Sequence, residues 1–123
     1  MATEVDLIKG SILHVVSAGE QTAEDVRKAT GEVDRLIAEH GIRRIRYLVD
    51  FTRVGRITPD ARQAFRERTS QMTDKGEIRY AILGVRQVLA GLLQMFAKAS
   101  KANAVLRFFK GEDEALSWLA EEG

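Results

Sequence analysis

The run Arg46-Tyr47-Leu48-Val49-Asp50-Phe51-Thr52-Arg53-Val54-Gly55-Arg56-Ile57-Thr58-Pro59-Asp60 constrains the fold more than any other part of the sequence. Its first part, Ile45 to Asp50, carries the uninterrupted apolar core Tyr47-Leu48-Val49, which predicts a strand covered on both faces, as at the centre of an α/β sheet. Its end predicts a helix start. Thr58 is placed as an N-cap whose hydroxyl accepts an orphan backbone N–H. Pro59 suits the first helical position, which needs no N–H, and Asp60 complements the positive helix end.

The remaining elements follow from periodicity. Val5 to Lys9 and Ile12 to Val16 flank Gly10-Ser11 and predict a hairpin closed by a type II′ turn with Gly10 first. Thr22 with Asp25 three positions later forms a capping box, and Val26, Ala29, Val33, Leu36 and Ile37 recur at helical spacing until Gly41, predicting a helix over 22–40. A second helix should run from Thr58 to about Met72, with Ala61, Ala64, Phe65 and Met72 inward. Tyr80-Ala81-Ile82-Leu83 marks another strand covered on both faces, expected beside the strand that ends at Asp50. A third helix is predicted over 87–99, then a strand over 104–109 and a closing helix through Ala115, Leu116, Trp118 and Leu119. The order ββαβαβαβα implies the α/β class: one mixed sheet, parallel in its later strands, with helices packed against it by right-handed crossovers. The 123 residues suit a single domain over 1–123.

Several function classes lack their residues. The chain has no cysteine, so a disulfide framework, a thiolate nucleophile and cysteine-based metal sites are excluded. The acidic, polar start Met1 to Asp6 does not resemble a signal peptide, and a cytoplasmic location is expected. The greasiest stretch, Val88 to Ala97, is broken by Gly91 and Gln94 and falls well short of the roughly 20 apolar residues of a membrane span. No transmembrane segment is expected. His14 and His40 form no metal signature, and no nucleophile-elbow, zinc-protease or P-loop spacing occurs, so neither a cofactor nor an enzymatic activity is expected.

The net charge of +1 hides a local bias: residues 43–68 carry eight arginines against Asp50, Asp60 and Glu67, a local +5 that leaves −4 elsewhere. The patch is modest and poor in aromatics, which argues against nucleic acid as a partner. In an α/β sheet, ligands and partners meet the loops after the carboxyl ends of strands, here expected at Phe51 to Ile57, Val85-Arg86 and Lys110-Gly111. Asp50 is placed to hydrogen-bond the Thr52 amide or a neighbouring loop, and as a catalytic group it would need a convergent polar pocket. Arg53, Arg56 and Arg62 are spaced to surround the start of the second helix, where guanidinium forks and backbone N–H groups suit a phosphate, a carboxylate, an acidic protein surface or a peripheral anionic membrane. Asp60 opposes this by occupying the same field, and the plain alternative is a solvated basic face. In the third predicted helix, Leu89, Leu92, Leu93 and Phe96, with Val88 and Met95, exceed one narrow stripe. They suit a core, a homodimer surface or an apolar pocket.

The element order carries a family resemblance, together with the strand end Val49-Asp50-Phe51-Thr52 leading through Val54 and Ile57 into the second helix, and the Gly84-Val85 junction. So does the closing Phe109-Lys110-Gly111-Glu112-Asp113-Glu114-Ala115-Leu116-Ser117-Trp118-Leu119. Over nearly its whole length the chain resembles the STAS domains, the fold of anti-sigma-factor antagonists. It is more closely similar to the SpoIIAA-like family, which is also compared with CRAL-TRIO lipid-binding domains. The resemblance implies a STAS/SpoIIAA-like mixed β-sheet and a non-enzymatic module that binds a protein partner. The alternative is a carrier or sensor of a small apolar or lipid-like ligand near the third predicted helix. Where a phosphorylatable STAS antagonist has Asp-Ser-Ser-Gly, this chain has Thr58-Pro59-Asp60-Ala61, so Asp60 stands at the phosphate-accepting serine. A fixed carboxylate is not phosphorylated and released, so a partner-switching cycle is not expected. Asp60 then reads as a helix-dipole residue or a constitutive phosphoserine mimic, and Thr58 as an N-cap or an alternative acceptor.

Overall fold

The structure is a computed structural model that describes residues 3–71, 76–84 and 104–121. Five strands form one sheet in the order β1-β2-β3-β4-β5: β1 (Thr3–Ile8), β2 (Ile12–Gln21), β3 (Arg46–Ile57), β4 (Ile78–Leu83) and β5 (Ala104–Phe109). β1 and β2 are antiparallel, and the other neighbours are parallel, as expected of a hairpin followed by crossovers. The helices described are α1 (Ala23–His40), α2 (Pro59–Gln71) and α3 (Glu112–Ala120). The third predicted helix, with Leu89, Leu92, Leu93 and Phe96, lies outside the described residues, as does Met72.

The hairpin turn is displaced from its expected position. Lys9 (φ 50°) and Gly10 (φ 77°) are its two left-handed residues, and the Ser11 N–H donates to the Ile8 carbonyl at 3.2 Å. Positive φ at both central positions is the signature of a type I′ turn, whose twist matches that of the strands it joins. The predicted type II′ turn starting at Gly10 is therefore one residue out of place.

Side-chain alternation sorts the strands into two cores. Tyr47 and Val49 of β3 and Tyr80 and Ile82 of β4 face α1 and α2, packing with Leu13, Val33, Leu36, Ile45 and Ile78. Leu48, Ala81 and Leu83 face the other way, onto Ala115, Trp118 and Leu119 of α3. Both faces of β3 and β4 are thus covered, which is why neither strand shows polar alternation.

β3 continues well past Asp50. It pairs with β4 as far as Asp50 opposite Leu83, while its pairing with β2 runs on through Arg53 opposite Ala18, Val54 opposite Gly19 and Ile57 opposite Gln21. Between Val16 and Ala18, and again between Gly19 and Gln21, β3 spends one more residue than β2. Such bulges bend a strand and sharpen its twist. Phe51 to Ile57, expected as a loop, is therefore the far end of a long bulged strand, because β2 is equally long and supplies it with hydrogen-bond partners.

Two arginines lie inside the fold. Arg46 and Arg79 are register partners at the start of β3 and β4, and each is under one-tenth exposed. Glu77 serves both, at 2.8 Å from Arg79 Nε and 3.8 Å from Arg46 Nη2. Arg46 also donates to the Ile45 and Glu77 carbonyls, and Arg79 to the Trp118 carbonyl. Burial, and then the charges of Arg44 and Arg79, lower the Arg46 pKa.

Candidate functional site

Thr58 and Asp60 lie where β2 and β3 end and α1 and α2 begin, whereas Asp50, Thr52, Arg53 and Arg56 lie along β3 itself. Both helices start with a threonine cap. Thr22 accepts from the Asp25 N–H at 3.4 Å, while the Asp25 carboxylate accepts from the Thr22 N–H at 2.9 Å, completing the box. Thr58 Oγ1 accepts from the Ala61 N–H at 3.2 Å and lies 3.1 Å from the Gln21 carbonyl, which also accepts the Thr58 N–H at 3.0 Å. Gln21 thereby ties the end of β2 to the start of α2. Its buried side chain turns back to the Ala18 carbonyl at 3.0 Å and accepts from the Thr3 hydroxyl at 2.8 Å, fastening β1 to the same corner.

Asp60 contacts the Thr58 hydroxyl. That hydroxyl, and behind it the backbone N–H groups of Ala23, Ala61 and Asp60, hold its carboxyl below the ordinary aspartate range. This negative charge stands where a second anion would have to bind, and its arrangement favours the helix-dipole reading.

Asp50 and Thr52 satisfy each other. One Asp50 oxygen accepts from the Thr52 N–H at 2.9 Å and the Thr52 hydroxyl at 2.6 Å, an Asx-type turn at the first bulge of β3. Gly84 (φ 77°) ends β4 against this turn: a Cβ there would come within 2.6 Å of Thr52 Cα and Cγ2 and 2.8 Å of Thr52 N. Glycine is needed both for the left-handed backbone and for the approach of β3.

The eight arginines of the basic stretch do different work. Arg46 is core, and Arg68 forms a bidentate pair with Asp34 of α1, with Nη1 to Oδ2 at 3.0 Å. Burial opposes the Arg68 charge, but Asp34 and the Tyr47 hydroxyl outweigh it and raise its pKa. Arg53 and Arg56 are exposed on the bulged end of β3, and among the described residues neither side chain makes a hydrogen bond or ion pair. Arg62, half-buried, faces a cavity of about 130 Å³ between α1, α2 and the sheet. Of the seven predicted polar site residues, Arg62 alone lines that cavity.

The sequence reading missed this cavity altogether. Val15, Val33, Val49, Phe51, Phe65 and Ile82 supply much of its wall. Tyr47 and Tyr80 also line it, stacked in parallel with ring centroids 4.6 Å apart, and Phe65 meets Tyr80 edge-on at 6.3 Å. Their 3.6- and 2-residue spacing was legible as core periodicity, but the gap between the elements was not.

Comparison with solved structures identifies the fold class as SpoIIAA-like. An uncharacterised protein of the DUF3478 family from Shewanella loihica, with a SpoIIAA-like fold, matches with a TM-score of 0.72 and 21% identity, over 97% of this chain and 93% of that one. The anti-sigma factor antagonist SpoIIAA in its unphosphorylated form matches with a TM-score of 0.68 and 10% identity, over 94% of both chains. The Bacillus cell fate determinant SpoIIAA in the phosphorylated form gives 0.58 and 12%, over 95% and 98%. No curated protein matches the sequence. The chain belongs to the family described as Domain of unknown function (DUF7793), whose model matches residues 7–122. The expected STAS/SpoIIAA-like α/β fold is thus found. Among the described residues, no helix is long and apolar enough to cross a membrane.

Proposed function

We propose that this chain is a non-enzymatic, STAS-type interaction module that docks an acidic surface of a protein partner on the bulged end of β3. The observation that carries this reading is the pair Arg53 and Arg56. Both guanidinium groups are exposed, both lack an ion pair among the described residues, and both sit on a strand segment flanked by β2 but not β4. Guanidinium forks left unpaired on a backbone held by ladder hydrogen bonds are pre-organised for carboxylates. Asp60, at the start of the helix that follows this strand, adds a permanent negative charge, which would orient a partner of mixed charge without a phosphorylation step. The engagement of one Asp50 oxygen by Thr52 supports the non-enzymatic reading, since the carboxylate is held in a local turn and does not line the cavity.

The test is to identify partners by crosslinking in the host and then measure purified binding against salt and charge. The double reversal Arg53→Glu and Arg56→Glu should weaken binding at least tenfold, and wild-type affinity should fall steeply as salt rises. Arg35→Glu, on an α1 surface where Arg35 is already paired with Glu39 at 2.8 Å, should leave affinity unchanged. Equal affinity of the double reversal and the wild type would remove this face from the interaction.

A further inference from the structure

The geometry points to a second site, independent of the partner face: the cavity between α1, α2 and the sheet binds a small aromatic carboxylate, its ring against Tyr47 and Tyr80 and its carboxylate on Arg62. Size is the first argument. At about 130 Å³ the space approaches the ~150 Å³ of an apolar cavity that holds one benzene ring, and it is far too small for a long acyl chain.

The wall is the second argument. Valine, isoleucine and phenylalanine side chains from both helices and the sheet line the space, and apolar walls favour an apolar occupant over water. The stacked tyrosines present aromatic surface to a further ring, and offset or edge contacts of this kind add to the burial itself. Tyr80 is more than nine-tenths buried, so its ring is held in the wall of the space and not at the surface.

Charge is the third argument. Two arginines and one acid line the cavity. Arg68 is committed to Asp34, and Asp25 to the Thr22 cap. Arg62 remains half-buried at the lining with no acid partner among the described residues, so it is the cation at the edge of this largely apolar space that can reach a ligand carboxylate. The class that satisfies volume, wall and charge together is a single ring bearing one carboxylate.

Benzoate is the probe, with benzyl alcohol as its uncharged counterpart and palmitate as the long-chain competitor, each followed by amide chemical shifts of the full chain. Benzoate should shift the amides of Val33, Val49, Phe65 and Ile82 saturably. Arg62→Gln should weaken benzoate about tenfold while changing benzyl alcohol less than about twofold. Ala29→Phe, which fills the cavity from α1, should abolish both; should it not fold, the Arg62→Gln comparison decides alone. Absence of saturable shifts with benzoate at millimolar concentration, equal losses of benzoate and benzyl alcohol in Arg62→Gln, or displacement of benzoate by palmitate would each overturn the assignment.

Discussion

The two halves of β3 are one strand with two different lives. Arg46 to Asp50 is flanked by β2 and β4, is covered by helices on both faces, and holds Leu48 with no exposed surface. Phe51 to Ile57 pairs with β2 but not with β4, carries two bulges, and exposes Thr52, Arg53, Gly55 and Arg56. The first half fixes the position of the second, and the second offers chemistry that the first must hide. On the proposed reading, groups for recognition on the extension of a central strand have a rigid support while staying out of the core.

The largest effect that tests this division is Leu48→Ala, which should cost about 3 to 4 kcal/mol in denaturant unfolding, because a fully enclosed leucine leaves a cavity between two packed layers. The matching change in the outer half, Val54→Ala, should cost about 1 kcal/mol or less. Equal losses would erase the distinction. At the joint, Gly84→Ala should cost about 2 kcal/mol, since the new methyl must displace the Thr52 backbone while the residue keeps a left-handed φ. A stability within experimental error of the wild type would show that β3 can slide away there. Removing either helix cap, Thr22→Ala or Thr58→Ala, should each cost about 1 kcal/mol. Arg53→Glu should change stability by less than about 0.5 kcal/mol, which separates binding from folding at the outer half.

The smallest effect is on acid stability. Asp25, held by the Thr22 backbone N–H, and Asp60, held by the Thr58 hydroxyl, both have folded pKa values below those of an unfolded aspartate. Each therefore contributes stability that is fully present above about pH 4 and is lost as the pH falls through the lower folded value. Denaturant midpoints recorded from neutral to strongly acidic pH should fall less steeply in Asp60→Asn than in the wild type. An identical acid limb would mean that the Thr58 contact does not persist in solution.

What the sequence revealed follows the range of the interactions. The Thr22–Asp25 box was legible because a cap is made within four residues. Tyr47-Leu48-Val49 and Tyr80 to Leu83 were legible because two-sided burial erases alternation. Phe51 to Ile57 reads as a loop because Thr52, Arg53, Gly55 and Arg56 are polar or small; its ladder partner lies some thirty-five residues earlier, and two bulges hide the period. The burial of Arg46 and Arg79 has no local signal, because it depends on the strand register that brings both to Glu77. Arg53, Arg56 and Arg62 were singled out by spacing alone, which could not tell the cavity-lining Arg62 from the two arginines that do not line it.

The aromatic residues on the two sides of the sheet have an optical consequence. The chain has one tryptophan and two tyrosines. Trp118 belongs to the α3 side, beside Phe109 at 5.7 Å and under the Arg79 guanidinium at 5.1 Å, whereas Tyr47 and Tyr80 are both on the cavity side. Each layer therefore carries its own intrinsic chromophore. Indole emission and phenol absorbance recorded on one unlabelled sample report separately on whether the two layers melt together, and on which of them responds when something enters the protein.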